Sequence, residues 1–275
     1  MTEITSFIPV RELPEIEPGA DLAALILAAL EARSLALGAQ DVVVVAQKVV
    51  SKAEGRLVEL DSVVPSAEAR RLAAVTGKDP RMVEIILGEA EEIVRAVPNV
   101  LIVRHRLGFV MANAGVDRSN VPRAGATAVS GVPTVSGLPG VPSVPARERA
   151  LLLPRDPAAS AAALRRRLME RFGVPIAVIV SDSFGRPWRR GVTNVALGSA
   201  GLPALIDRRG ERDRDGRTLE MTEVAFADAI AAAAGLVMGE GAEGTPVVLA
   251  RGLEWGAPER EASALLRPKA EDLFR

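Results

Sequence analysis

Strand-like and helix-like segments alternate along nearly the whole chain, and this alternation limits the fold more than any other feature, because it points to a mixed α/β architecture. Ser6–Val10 reads as a first strand, followed by a Pro-Gly loop and an Ala/Leu-rich helix from about Asp21. Asp41–Val50 is a β-branched run that ends at the polar turn Ser51–Arg56. Ser66 is an N-cap, and Asp79 before Pro80 is a second helix start. Val100–Arg104 and Phe109–Ala112 read as strands. Ser160–Phe172 reads as a helix closed by Gly173, and Pro175–Val180 as a buried strand. Gly191–Gly198 and Thr218–Thr222 look extended, with Asp213–Gly216 as a hairpin turn. The Ala-rich helix Glu223–Met238 then leads through a glycine loop to a strand at Pro246–Ala250.

The segment Val121–Pro145 interrupts this order. Its Pro, Gly, Val, Ser and Ala residues can neither continue a helix nor pair as a central strand, so it is expected to be a long inserted loop or arm.

Composition removes several classes of function. The 275 residues are 48% hydrophobic, enough for a full-sized core, and the 34 basic and 35 acidic residues nearly cancel, which argues against a broad nucleic-acid surface. Without cysteine, thiolate catalysis, disulfides and cysteine-zinc sites are excluded. A cytoplasmic location is the expectation, since the first residues carry no export signal and the apolar runs are about half the roughly 20 residues that cross a bilayer. The lone histidine, His105, lies between Arg104 and Arg106 and reads as a surface or strand-edge residue; a multi-histidine metal site cannot form.

Gly239–Gly244 matches Gly-x-Gly-x-x-Gly literally, but a helix precedes it and a strand follows, the reverse of the dinucleotide-binding order. The loop is either a helix C-terminal turn or a place where backbone approaches a ligand, with Glu240 projecting from it. Asp182 and Ser183 follow the strand ending at Val180, where α/β sheets commonly bind ligands; an Asx or Ser turn is the alternative, and in the ligand reading acid and hydroxyl both face a metal. Asp117 lies in a similar strand-end segment, Asn113–Asn120. Lys48 and Lys52 could reach phosphate oxygens or belong to a solvated turn. Oxygen donors favour magnesium or manganese. Two ionised carboxylates about 4 Å apart repel by roughly 4 kcal/mol at an effective dielectric near 20, so such a cluster calls for a cation or a proton.

Taken together, Leu13-Pro14-Glu15-Ile16, Ser51–Arg56, Asn113–Asn120, Ser181–Arg190, Asp215-Gly216-Arg217 and Met238–Thr245 resemble the coenzyme F-420 gamma-glutamyl ligase family, in the family's order. The resemblance implies GTP-dependent attachment of L-glutamate to the deazaflavin F-420 precursor through an acyl phosphate, giving GDP and phosphate. This is an acid–amino-acid ligase of the peptide synthase type. It implies Asp117 and Asp182 at one divalent metal, and Ser183 and Glu240 at a second, with a monovalent cation as an additional candidate. Asp117, Asp182 and Glu240 are the expected catalytic acids. Around the nucleotide it places Leu13, Pro14, Glu15, Ile16, Gln47, Lys48, Lys52, Asn120, Met238, Gly239, Glu240, Gly241, Ala242, Glu243, Gly244 and Thr245. The implied fold is a two-lobed mixed α/β subunit, one catalytic unit over 1–275, assembled as an intertwined homodimer, without a membrane or nucleic-acid partner and without the C-terminal flavin domain of some relatives. Ser183 stands where threonine is common, Gln47 and Lys48 replace smaller hydroxyl residues, and 121–145 is an addition. A nucleotide-binding homologue without ligase activity, and an amide ligase of this fold for another carboxylate acceptor, are the alternatives.

Overall fold

The computed structural model describes residues 4–119 and 148–273. In chain order the elements are β1 (Ser6–Val10), α1 (Leu22–Ala32), β2 (Val42–Ala46), α2 (Gln47–Ala53), β3 (Leu57–Glu59), α3 (Ala67–Thr76), α4 (Pro80–Glu89), β4 (Ala90–Val97), β5 (Val100–His105), β6 (Val110–Ala112), β7 (Arg149–Leu151), α5 (Pro157–Phe172), β8 (Ala177–Arg186), β9 (Arg189–Ala200), β10 (Leu205–Asp207), β11 (Glu223–Ala225), α6 (Phe226–Met238) and β12 (Val247–Arg251). The architecture is mixed α/β, as the alternation of segments requires. The chain divides into two compact units, Met1–Arg56 with Leu153–Arg275, and Leu57–Leu152. Among the described residues no helix is long and apolar enough to cross a membrane. The inserted segment 121–145 and Asn120 lie outside the described residues.

The first unit is built on a five-stranded sheet in the order β1-β12-β2-β8-β9. β2 and β8 are parallel, and the other pairs are antiparallel. Its central strands are apolar at consecutive positions because both faces are covered. Val43, Val45, Val178, Val180, Val247 and Leu249 pack on one face with α1, α2 and α5, while Val42, Val44, Ala177, Ile179, Val248 and Ala250 pack on the other with α6. Each buried valine or isoleucine contributes about 1.5–3 kcal/mol, so this double layer is the main source of the unit's stability. Gly198 of β9 has no room for a side chain, because a Cβ there would lie 2.2 Å from the Pro157 carbonyl carbon at the start of α5.

The second unit holds the sheet β4-β5-β6 and the pair β3-β7. Leu72, Val83, Ile86, Leu101 and Val103 form its core with α3 and α4. Ser66 and Asp79 cap these helices by accepting the Ala69 and Arg81 N–H at 3.1 and 2.8 Å, as their positions in the sequence predict.

Several expectations are corrected. The run Asp41–Val50 is strand only to Ala46; Gln47 to Ala53 are helical, since Val49 and Val50 reach the core from a helix and Ser51 donates to Gln47 one turn back, at 2.8 Å. The strand expected to end at Val180 continues to Arg186, paired throughout with β9. Glu223–Ala225 pairs with β10, so α6 starts at Phe226. Thr218–Thr222 forms no strand beyond one bridge from Thr218 to Arg212, although Asp213 does organise the turn, accepting the Asp215 and Arg217 N–H. His105 is fully buried rather than at a surface: Nδ1 accepts the Leu107 N–H at 2.9 Å, and Nε2 lies 3.4 Å from the Glu89 carboxylate.

Candidate functional site

Strand register brings most of the residues singled out in the sequence to one end of the five-stranded sheet. Val10 pairs with Val247, Val247 with Val45, and Val45 with Val180. The segments leaving β1 and β2, the continuation of β8 past Ser181, and the loop entering β12 therefore share one edge. The Ala46 N–H donates to the Pro246 carbonyl at 2.8 Å, which fixes the glycine loop to the start of α2. Leu13, Pro14, Glu15, Ile16, Gln47, Lys48, Lys52, Asp182, Ser183 and 238–245 all belong to this end.

Each segment is held differently. Ile16 is buried and Leu13 half-buried against the core, so the chain after β1 is anchored by apolar contacts, while Pro14 and Glu15 are exposed. Glu15 is ion-paired with the Lys52 ammonium. Lys52 is thus neither a solvated turn residue nor an uncommitted phosphate ligand: it is a buried helical cation whose charge is already met, and an anionic ligand must compete with Glu15 for it. Gln47 is buried, and Lys48 is half-buried.

Asp182 and Ser183 are consecutive strand residues and so point to opposite faces of the sheet. Cross-strand pairing assigns the faces: Ser181 pairs with Ala196, which packs in the α6 layer, and Ser183 pairs with Asn194, which a Cβ on Gly235 of α6 would meet at 2.1 Å. Ser183 therefore shares the α6 face with the glycine loop that α6 enters, and Asp182 lies on the face of α2. Of the readings the sequence offers for the pair, the strand geometry separates the two side chains rather than turning both to one ion.

The glycine loop follows a helix and precedes a strand, so the dinucleotide-binding fingerprint is excluded by structure as well as by order. Gly239 and Gly244 take positive φ of 75° and 64°. Glu243 is turned onto the loop itself, accepting the Gly241 N–H at 2.8 Å and lying where a Cβ on Gly239 would be. Glu240 and Ala242 are exposed, Thr245 is buried with its hydroxyl on the Glu243 carbonyl at 3.3 Å, and Met238 sits in the α6 core layer.

Two residues of this region carried no sequence signal. Asn194 is buried opposite Ser183. Asp228, in the first turn of α6, accepts the Ala196 N–H at 2.8 Å beside the β-bulge that precedes Asp182, and burial raises its carboxyl above the usual range against that bond. An Asp near a helix start is ordinary in sequence; only the bulge it serves makes it distinctive.

Asp117 belongs to the second unit. Its backbone exchanges two hydrogen bonds with Leu151, and its carboxylate accepts the Ser119 N–H and hydroxyl at 2.8 and 2.6 Å. The preceding residues Asn113, Ala114 and Gly115 all have positive φ, 55°, 53° and 67°. Left-handed backbone at non-glycine residues costs about 1–2 kcal/mol each and persists at sites that need it. Ala114 is fully buried, and the Asn113 side-chain oxygen is buried without a hydrogen-bond partner among the described residues.

The donors are hard oxygens, suited to magnesium or manganese. Among the described residues no three or more acidic or histidine side chains converge as a metal cage. The set instead suits a cation held by one or two carboxylates and completed by substrate phosphate oxygens, the usual arrangement for magnesium.

The sequence is similar to known proteins along nearly its whole length. The family model described as F420-0:Gamma-glutamyl ligase matches residues 11–252. The chain is 47% identical over 274 residues to the coenzyme F420:L-glutamate ligase of Methanopyrus kandleri, covering 97% of this chain and 96% of that one. It is 44% identical to the protein of the same name from Methanothermobacter thermautotrophicus, covering 98% of each. With the Methanocaldococcus jannaschii ligase the identity is 41%, covering 86% of this chain and 84% of that one.

Proposed function

The chain belongs to the F420-0:gamma-glutamyl ligase family, and from that premise we propose that it joins the amine of L-glutamate to a carboxyl group of a deazaflavin F420 precursor with conversion of GTP to GDP and phosphate. The carboxylate oxygen of the acceptor attacks the γ-phosphorus as the bond to GDP breaks, giving an acyl phosphate. The deprotonated glutamate amine then attacks the acyl carbon, the carbon–nitrogen bond forms, and phosphate leaves.

The observation that supports this reading best is the common exit of the Leu13–Ile16, Gln47–Lys52, Asp182–Ser183 and Met238–Thr245 segments from one sheet end. Phosphoryl transfer needs positioning and charge neutralisation more than an activated nucleophile, and this end supplies both kinds of group. Asp182 on one face, and Ser183 with Glu240 toward the other, are the residues we assign to divalent cations. Asp117 enters through the sequence resemblance alone. When bound, magnesium or manganese neutralises phosphate oxygens and polarises the phosphorus. Gly239, Gly241 and Gly244, which bear no side chain, let the backbone of this loop approach the nucleotide closely, and Lys52 exchanges Glu15 for a phosphate oxygen. The working assembly in this reading is a homodimer.

Isotope transfer tests the reaction. With an acceptor whose carboxylate carries oxygen-18, the released phosphate is expected to contain one labelled oxygen per ligation, and GDP release is expected to require the acceptor. GDP formed without acceptor, or unlabelled phosphate alongside ligated product, would overturn it.

A further inference from the structure

The β8–β9 hairpin continues past Ser183 into a stretch with no part in the scheme above. From Gly185 to Val192 every residue is exposed. Arg186, Arg189 and Arg190 form no ion pair among the described residues. The arginines of the charged turn after β10 differ: Arg208 pairs with Glu211, and Arg209 with Asp207. At the tip Pro187 is followed by Trp188, which is 89% exposed at a φ of 61°. Proline followed by a positive-φ residue is a turn that selects glycine or asparagine at the second position. An indole there holds left-handed backbone at some cost while presenting most of its surface to solvent.

The elements assigned to the nucleotide are the other segments of this sheet end, which leaves the hairpin for the remaining large substrate. We propose that the hairpin tip is the acceptor platform, with Trp188 stacking on the planar deazaflavin ring and Arg186, Arg189 and Arg190 holding its anionic groups. This rests on the ligase reading. A strand rises about 3.3 Å per residue, so Trp188 lies roughly 20 Å along the chain from Asp182, a span that suits an elongated acceptor with its ring at one end and the reacting carboxyl at the other. Guanidinium groups suit carboxylate and phosphate oxygens, and they also stack on flat rings.

The test measures equilibrium binding of the purified deazaflavin acceptor, through its own fluorescence, to the full-length chain and to variants, beside steady-state KM values. Trp188→Ala is expected to weaken acceptor binding by about tenfold or more, the usual consequence of losing one ring stack, and Trp188→Phe to restore most of it. Arg186→Gln with Arg189→Gln and Arg190→Gln should weaken binding by an amount that shrinks as salt rises. The KM for GTP should stay within about twofold in all of them. Trp188→Gly is expected to bind acceptor poorly yet melt at the same or a higher temperature, because it relieves the turn; a structural role for the indole would lower both. Unchanged acceptor affinity in Trp188→Ala, an equal loss of GTP affinity, or a change of oligomeric state as the only effect would overturn the inference. A wild-type chain that binds no acceptor would overturn the ligase reading itself, a result distinct from wild-type binding that the variants share.

Discussion

The two ends of the five-stranded sheet are built from the same strands yet treat charge in opposite ways. At the end where β2 begins, Asp41 is buried, and its carboxylate is closed by the Arg251 guanidinium at 2.6–3.2 Å and by the Gly38 N–H at 2.7 Å. Arg251 also donates to the Ala36 carbonyl at 2.7 Å, and Asp41 holds the guanidinium above its ordinary pKa. At the end where β2 finishes, Glu240 is exposed, backbone is glycine-rich with positive φ, and among the described residues Lys52 is met only by the exposed Glu15, while Arg186, Arg189 and Arg190 have no acidic partner. A closed network stabilises; in the proposed function the other end gives up its charges to a ligand and stabilises less. The contrast says where to look for loss of folding and where for loss of chemistry.

The largest effect is expected at the closed end. Arg251→Met leaves the Asp41 carboxylate buried without its cation, and removal of one partner of such a pair costs about 3–5 kcal/mol. Urea denaturation should show that loss, with activity per folded molecule little changed. At the open end the pattern reverses: Asp182→Asn should lower the ligation rate at least about a hundredfold, roughly 2.7 kcal/mol in the barrier, with an unmoved melting temperature. If Asp182→Asn unfolds the chain instead, the two ends do not differ as described.

Smaller effects sharpen the contrast. Glu15→Gln frees the Lys52 ammonium and should tighten nucleotide binding by a few-fold at low salt and less at high salt, whereas Lys52→Ala should weaken it. Calorimetric titration at two ionic strengths reads both. The smallest expected effect is on pH dependence. Burial raises the Asp228 carboxyl in the folded state above its ordinary value of 3.8, so the folded state binds that proton more tightly than the unfolded one. The associated stability is fully present below pH 3.8 and is lost as pH rises through the folded-state value. Asp228→Asn should remove this decline from the curve of stability against pH.

Much of the closed architecture was legible in the sequence because it rests on local rules. The apolar β-branched runs, the Ser66 and Asp79 caps, and Gly173 after α5 announce their elements through composition and capping chemistry. The open end was legible as residues but not as geometry. Val49 and Val50 suit a strand as well as a helix, and only the core they reach decides. Asp182 looked like a strand-end residue because the apolar run stops at Val180, yet pairing with β9 carries the strand to Arg186 and sends Asp182 and Ser183 to opposite faces. Glu15 and Lys52 are far apart in sequence, and no spacing rule could pair them. His105 likewise is buried beside Glu89, a residue of another element that its arginine neighbours in sequence do not announce.

Manganese binding measured by electron paramagnetic resonance tests the central claim most directly, because it reports on the open end without requiring turnover. In the presence of a non-hydrolysable GTP analogue, the wild-type chain is expected to bind manganese, and Asp182→Asn to bind it at least about tenfold more weakly while Arg251→Met, where folded, binds it as the wild type does. Equal manganese affinity in wild type and Asp182→Asn would contradict the assignment of this sheet end to the metal and the nucleotide.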